Sequence, residues 1–63
     1  MKTAAIKSAL LNGNQFQNDA ANWYSLCKPA DNRFILVINE ETKIYKNIDS
    51  ISRRIYQLLK RGY

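Results

Sequence analysis

A chain of 63 residues carries one small domain, 1–63, and at this size folding hides only about 60% of the surface that the unfolded chain exposes, so stability is marginal and a partner can add to it. Apolar residues make up 46% and charged residues 24%, with two glycines and one proline; this is the composition of a folding chain, not of a disordered or low-complexity one. Ten Lys and Arg against five Asp and Glu give a formal charge of +5, which suits nucleic acid, an acidic protein surface or anionic lipid, although many small domains carry this much charge for solubility alone.

Histidine is absent and Cys27 is the only cysteine. No intramolecular disulfide can form, and a secreted chain this short would be expected to carry several, so the expected location is cytoplasmic. A thiol nucleophile lacks a histidine beside it, and one cysteine with scattered acids cannot close a metal site. Asp19, Asp31, Glu40, Glu41 and Asp49 fall mostly in turns or at a cap, no glycine-rich phosphate loop occurs, and the chain reads as non-enzymatic with no cofactor. In "MKTAAIKSALLNG" the apolar run is broken by Lys7 and Ser8, so no secretory signal is expected. No stretch approaches the roughly 18 apolar residues of a membrane span, and no membrane partner is expected.

In chain order, alanines with Ile6 and Leu10 predict a short helix over Thr3–Leu11, with Thr3 as N-cap and Asn12-Gly13 as its stop. Its apolar stripe is thin, so it needs a surface to dock on. The amide-rich "NGNQFQNDAANW" reads as a loop anchored by Phe16, with a polar contact surface as the alternative. "NWYSLCK" alternates as a strand, Trp23, Ser25 and Cys27 against Tyr24, Leu26 and Lys28, and "PADN" is a reverse turn. "RFILVIN" is apolar on both faces, which suits the middle of a sheet. Glu40–Thr42 is read as the next turn and "KIYKN" as the returning strand. Trp23 and Phe34 are expected in the core, with Tyr45 the better candidate for an exposed contact.

Asn47, Asp49 and Ser50 each qualify as N-cap of a closing helix. At 100° per residue, Ile51, Ile55, Leu58 and Leu59 share one arc of about 100°, while Arg53, Arg54, Gln57, Lys60 and Arg61 occupy the opposite arc of about 120° with Tyr56 beside them. That polar arc has no acid beyond Asp49. A merely solvated face would intersperse Glu with Lys, and the helix dipole accounts for Lys60 and Arg61 but not for Arg53 and Arg54.

The fold class that results is α+β: a three-stranded antiparallel sheet packed against a C-terminal helix, with a short N-terminal helix, in the order α-β-β-β-α. A helix-turn-helix is excluded because Ser8, Asn12 and Asp19 are polar where that motif needs core. The leading functional expectation is non-catalytic nucleic-acid binding, with Arg53, Arg54, Lys60 and Arg61 on phosphates, Gln57 and Tyr56 alongside, and Lys43, Tyr45 and Lys46 contributed by the sheet. The competing expectation is a protein-binding inhibitor or adaptor, of the kind phages and plasmids encode, docking its basic face on an acidic protein surface. A homodimer paired through the edge strand "WYSLC" could serve either.

Overall fold

The computed structural model of the chain describes residues 2–18, 20 and 22–61. Its elements are α1 (Thr3–Leu11), β1 (Trp23–Lys28), a 3₁₀ turn (Pro29–Asp31), β2 (Arg33–Ile38), β3 (Glu41–Tyr45) and α2 (Ile48–Lys60). The expected order α-β-β-β-α is the order observed. The sheet is antiparallel with strand order β1-β2-β3, so the doubly apolar "RFILVI" strand is central, as its pattern requires. Asp19 and Ala21, inside the amide-rich stretch, lie outside the described residues.

Both hairpin turns place an Asn in left-handed backbone, which Asn tolerates better than most side chains. The β1–β2 connection ends on Asn32 at φ 56, after Pro29 has set the 3₁₀ turn. The β2–β3 turn is Asn39-Glu40, at φ 49 and 69, between the paired residues Ile38 and Glu41. Two consecutive left-handed residues are what the tight hairpin turn matching strand twist demands. The turn expected at Glu40–Thr42 is therefore corrected: Glu41 and Thr42 already belong to β3, because Asn39 opens the turn one residue earlier.

The core is formed on one face of the sheet. Trp23, Cys27, Phe34 and Leu36 meet Ile51, Ile55 and Leu58 of α2 and Ile6 and Leu10 of α1. Burying a large aliphatic side chain contributes about 1.5–3 kcal/mol. Ile6 and Leu10 are fully buried, and through them a nine-residue helix too short to persist alone is held in place. Lys2, not Thr3, caps α1: its carbonyl accepts from the Ala5 and Ile6 N–H groups at 3.0 and 3.1 Å, and no side chain caps that end. At α2 the cap is Asn47, whose Oδ1 accepts from the Ser50 N–H at 2.9 Å, leaving Asp49 inside the first turn where the dipole favours an anion.

α2 buries Ile51, Ser52, Ile55 and Leu58, while Leu59 is only partly buried. The inclusion of Ser52 widens the buried arc to about 120°. α1 is the reason. It packs along α2 on the side marked by the Lys7–Asp49 ion pair at 3.0 Å, and a small side chain there lets two helices approach.

The amide-rich stretch is not a plain loop. Gln15–Asn18 runs beside the outer edge of β1, with a backbone bridge between Gln17 and Tyr24. All three N–H groups that β1 points outward are bonded: Trp23 to Asn18 Oδ1 at 3.3 Å, Ser25 to the Phe16 carbonyl at 2.8 Å, and Cys27 to Gln15 Oε1 at 3.1 Å. The same Gln15 amide donates to the Cys27 carbonyl at 3.0 Å and accepts from the Ser25 hydroxyl at 2.9 Å. Gln15 thus imitates a peptide group of a fourth strand. The outward N–H groups of β1, the edge through which a homodimer could pair, are thus occupied by the chain's own side chains and backbone.

Replacing Gln15 with Ala removes three partly buried hydrogen bonds. At about 0.5–1.5 kcal/mol each, we expect Gln15→Ala to cost about 2 kcal/mol and to lower Tm by about 10 °C, whereas Gln17→Ala, whose exposed side chain bonds to nothing described, stays within about 0.5 kcal/mol. Thermal melts of the two variants check this; equal melts would mean that the Gln15 bonds contribute nothing to the fold.

Candidate binding surfaces

Two surfaces carry the charge, on opposite sides of the molecule. The first is the outer face of α2. Arg53, Gln57 and Lys60 follow one another at helical spacing and are exposed, as is Arg61 at the C-cap. Asp49, the only acid on the helix, is engaged by Lys7 of α1, and among the described residues none of these cations is ion-paired. Arg54 stands apart from that line. It is half-buried, its guanidinium donates to Gln57 Oε1 at 3.3 Å, and with Arg61 it borders a notch of about 120 Å³ walled by Trp23, Ile38 and Leu58. The Trp23 indole N–H is buried and has no hydrogen-bond partner. Tyr56 is half-buried and packs on the core.

The sheet residues expected to join this surface divide. Lys43 and Tyr45 lie on the helix side of β3, opposite Leu36 and Phe34. Tyr45 packs against the core, which corrects its expected exposure; Ile44 is the exposed large apolar residue of that strand, at 79%. Alternation decides this, because the residue paired with buried Phe34 must share its face. Lys43 pairs with Glu41 at 3.3 Å, both groups largely solvated, a contact worth little. Lys46 sits before the N-cap of α2, and the thirteen-residue helix, about 20 Å long, separates it from Arg61. The structure gathers Arg53, Gln57, Lys60 and Arg61, and leaves Lys46 at the opposite end.

The second surface is the sheet face that no helix covers. Register places Tyr24, Val37 and Thr42 in one row and Leu26, Ile35 and Ile44 in the next. Lys28 opposite Arg33 begins a third. Leu26 is 50% exposed and Tyr24 36%. A shallow depression of about 380 Å³ lies where this aliphatic row meets Lys28 and Arg33. The face is therefore apolar at its centre and cationic at one end. Lys28 was not singled out from the sequence; the signal for it was the hairpin register, which the "PADN" turn length sets.

Among the described residues no group of three or more acids, cysteines or histidines is disposed to hold a metal, and no helix is long and apolar enough to cross a membrane. No protein-family model, curated protein or solved structure matches this chain.

Cys27 belongs to the core at 4% exposure. Burial raises its thiol above the ordinary value of 9.0, partly offset by a hydrogen bond with the backbone of Ile35. The native thiol holds its proton longer than the unfolded one, so the contribution to stability is complete below the ordinary value and is lost as pH rises from there through the raised native value. We expect Cys27 to react with iodoacetamide at pH 8 only after denaturant is added, and the Cys27→Ala variant to lose less stability than the natural chain between pH 8 and 10. Rapid alkylation of the native protein would contradict this.

Proposed function

We infer that the protein is a non-catalytic nucleic-acid-binding module whose grip is the outer face of α2. The observation that supports this reading is the unpaired cationic line of Arg53, Lys60 and Arg61, on a helix whose single acid is occupied elsewhere. Arg53 and Lys60 are about 10 Å apart along the axis, close to three steps of a duplex strand at about 3.4 Å each, so successive cations can follow one backbone. Gln57 between them supplies a neutral donor, and the Arg54–Arg61 notch offers a second place for a phosphate. Contacts of this kind position a protein on nucleic acid without reading sequence.

Docking on an acidic protein, as an inhibitor or adaptor would do, is the second reading, and it would use the uncovered sheet face with its Lys28–Arg33 end in place of the α2 face. The observation that favours it is the aliphatic character of the uncovered sheet face, whose exposed Leu26 and Ile44 resemble the apolar centre of a protein interface more than the aromatic platform on which bases stack.

Fluorescence anisotropy with labelled duplex DNA, single-stranded DNA and RNA, from about 50 to 200 mM salt, separates the two. We expect affinity to fall steeply with salt and Arg53→Ala/Lys60→Ala to reduce the slope of log K against log salt by about 2, with an unchanged thermal melt. Absence of binding at the lowest salt for all three probes would remove the nucleic-acid reading.

A further inference from the structure

The outward backbone groups of the two edge strands are treated differently. β1 directs Trp23, Ser25 and Cys27 outward, and their N–H groups are satisfied by Gln15–Asn18. Strand alternation then turns Tyr24, Leu26 and Lys28 toward β2, pairs β3 through Glu41, Lys43 and Tyr45, and directs the N–H and C=O of Thr42 and Ile44 outward. Among the described residues nothing bonds to either. β3 is consequently an open edge, and Ile44, 79% exposed, stands on it beside the uncovered aliphatic row.

Native sheets guard such an edge or use it. The guard here is partial: Lys43 and Lys46 stand at either end of Ile44-Tyr45, and a charge on each side of an apolar pair is also a recognition code. We propose that the β3 edge takes an added strand from an acidic protein partner, an extended segment with two apolar residues between two carboxylates. Its backbone pairs with Thr42 and Ile44. Its carboxylates lie opposite Lys43 and Lys46, and one apolar side chain extends the Leu26–Ile35–Ile44 row. Because lysine, two apolar residues and lysine read the same from either end, a partner strand of this composition fits in parallel or antiparallel sense. Lys43 is available to it, since its present partner Glu41 is solvated. Charge favours this occupant over a second copy of the chain, because two copies at +5 each repel. The proposal stands on the β3 edge and does not depend on the α2 face.

The test is an amide NMR titration of the ¹⁵N-labelled full chain with a capped six-residue peptide in which two valines are flanked by glutamates, beside its lysine-flanked counterpart, each to about 1 mM, the weak end of measurable affinity. The expected result is saturable shifts centred on Thr42, Ile44 and Lys46, slowed solvent exchange of the Thr42 and Ile44 N–H groups, and binding of the acidic peptide at least tenfold tighter than the basic one. Lys46→Glu, at an exposed position, should narrow that preference by about tenfold while its spectrum stays dispersed. No response to either peptide, or equal response to both, overturns the proposal. So does a shift of Ile44 with protein concentration alone, which would make a second copy the occupant, or its perturbation by duplex DNA in place of peptide.

Discussion

The side-chain amide of Gln15 is the interaction on which the exposed architecture depends. A three-stranded sheet has two edges, and each outward N–H and C=O either finds a partner or stays open to water or to another chain. By bonding both backbone groups of Cys27 and the hydroxyl of Ser25, Gln15 closes one edge with a side chain where a fourth strand would otherwise be needed. Phe16 and Asn18 continue the closure to Trp23. The same contacts tie the segment after α1 to the sheet, and so hold Ile6 and Leu10 where they complete the core.

From that closure follows an uneven molecule. One face of the sheet is covered by two helices and the other is bare; one edge is sealed and the other open. Cations are distributed on both sides, the α2 line above and the Lys28–Arg33 end of the bare face below, and among the described residues no cation except Lys43 and Lys7 is ion-paired. The proposed nucleic-acid grip and the proposed strand-binding edge use different sides, so a single copy has room to engage both at once. A chain this small has few other surfaces to offer, because most of its apolar side chains are already committed to one compact core.

The fold was legible where one residue type had one physical solution. Both faces of Arg33–Ile38 are apolar, which only a central strand accommodates; Asn47 with two further polar residues before an amphipathic run marks a helix start; proline with Asp and Asn makes a turn. What the sequence hid were interactions that depend on partners distant along the chain. Gln15 looks like any amide in a polar loop until β1 is beside it. Ser52 looks solvent-facing until α1 lies along α2. The exposure of Ile44 in place of Tyr45 required the register of β2 and β3, which the turn at Asn39-Glu40, in place of one over Glu40–Thr42, decides. For the candidate surfaces, the helical line of cations could be read from spacing alone, while the Lys28–Arg33 pair and the open β3 edge needed the sheet order.

Amide hydrogen exchange of the free protein at single-residue resolution tests this asymmetry most directly. With one edge sealed and the other open, the N–H groups of Trp23, Ser25 and Cys27 should exchange at rates close to those of the central strand, and those of Thr42 and Ile44 near the rate of an unstructured chain. Fast exchange at Cys27 would show that the Gln15 closure does not hold in solution, and protection at Ile44 in the dilute protein would show that the second edge is not open; either result contradicts the account.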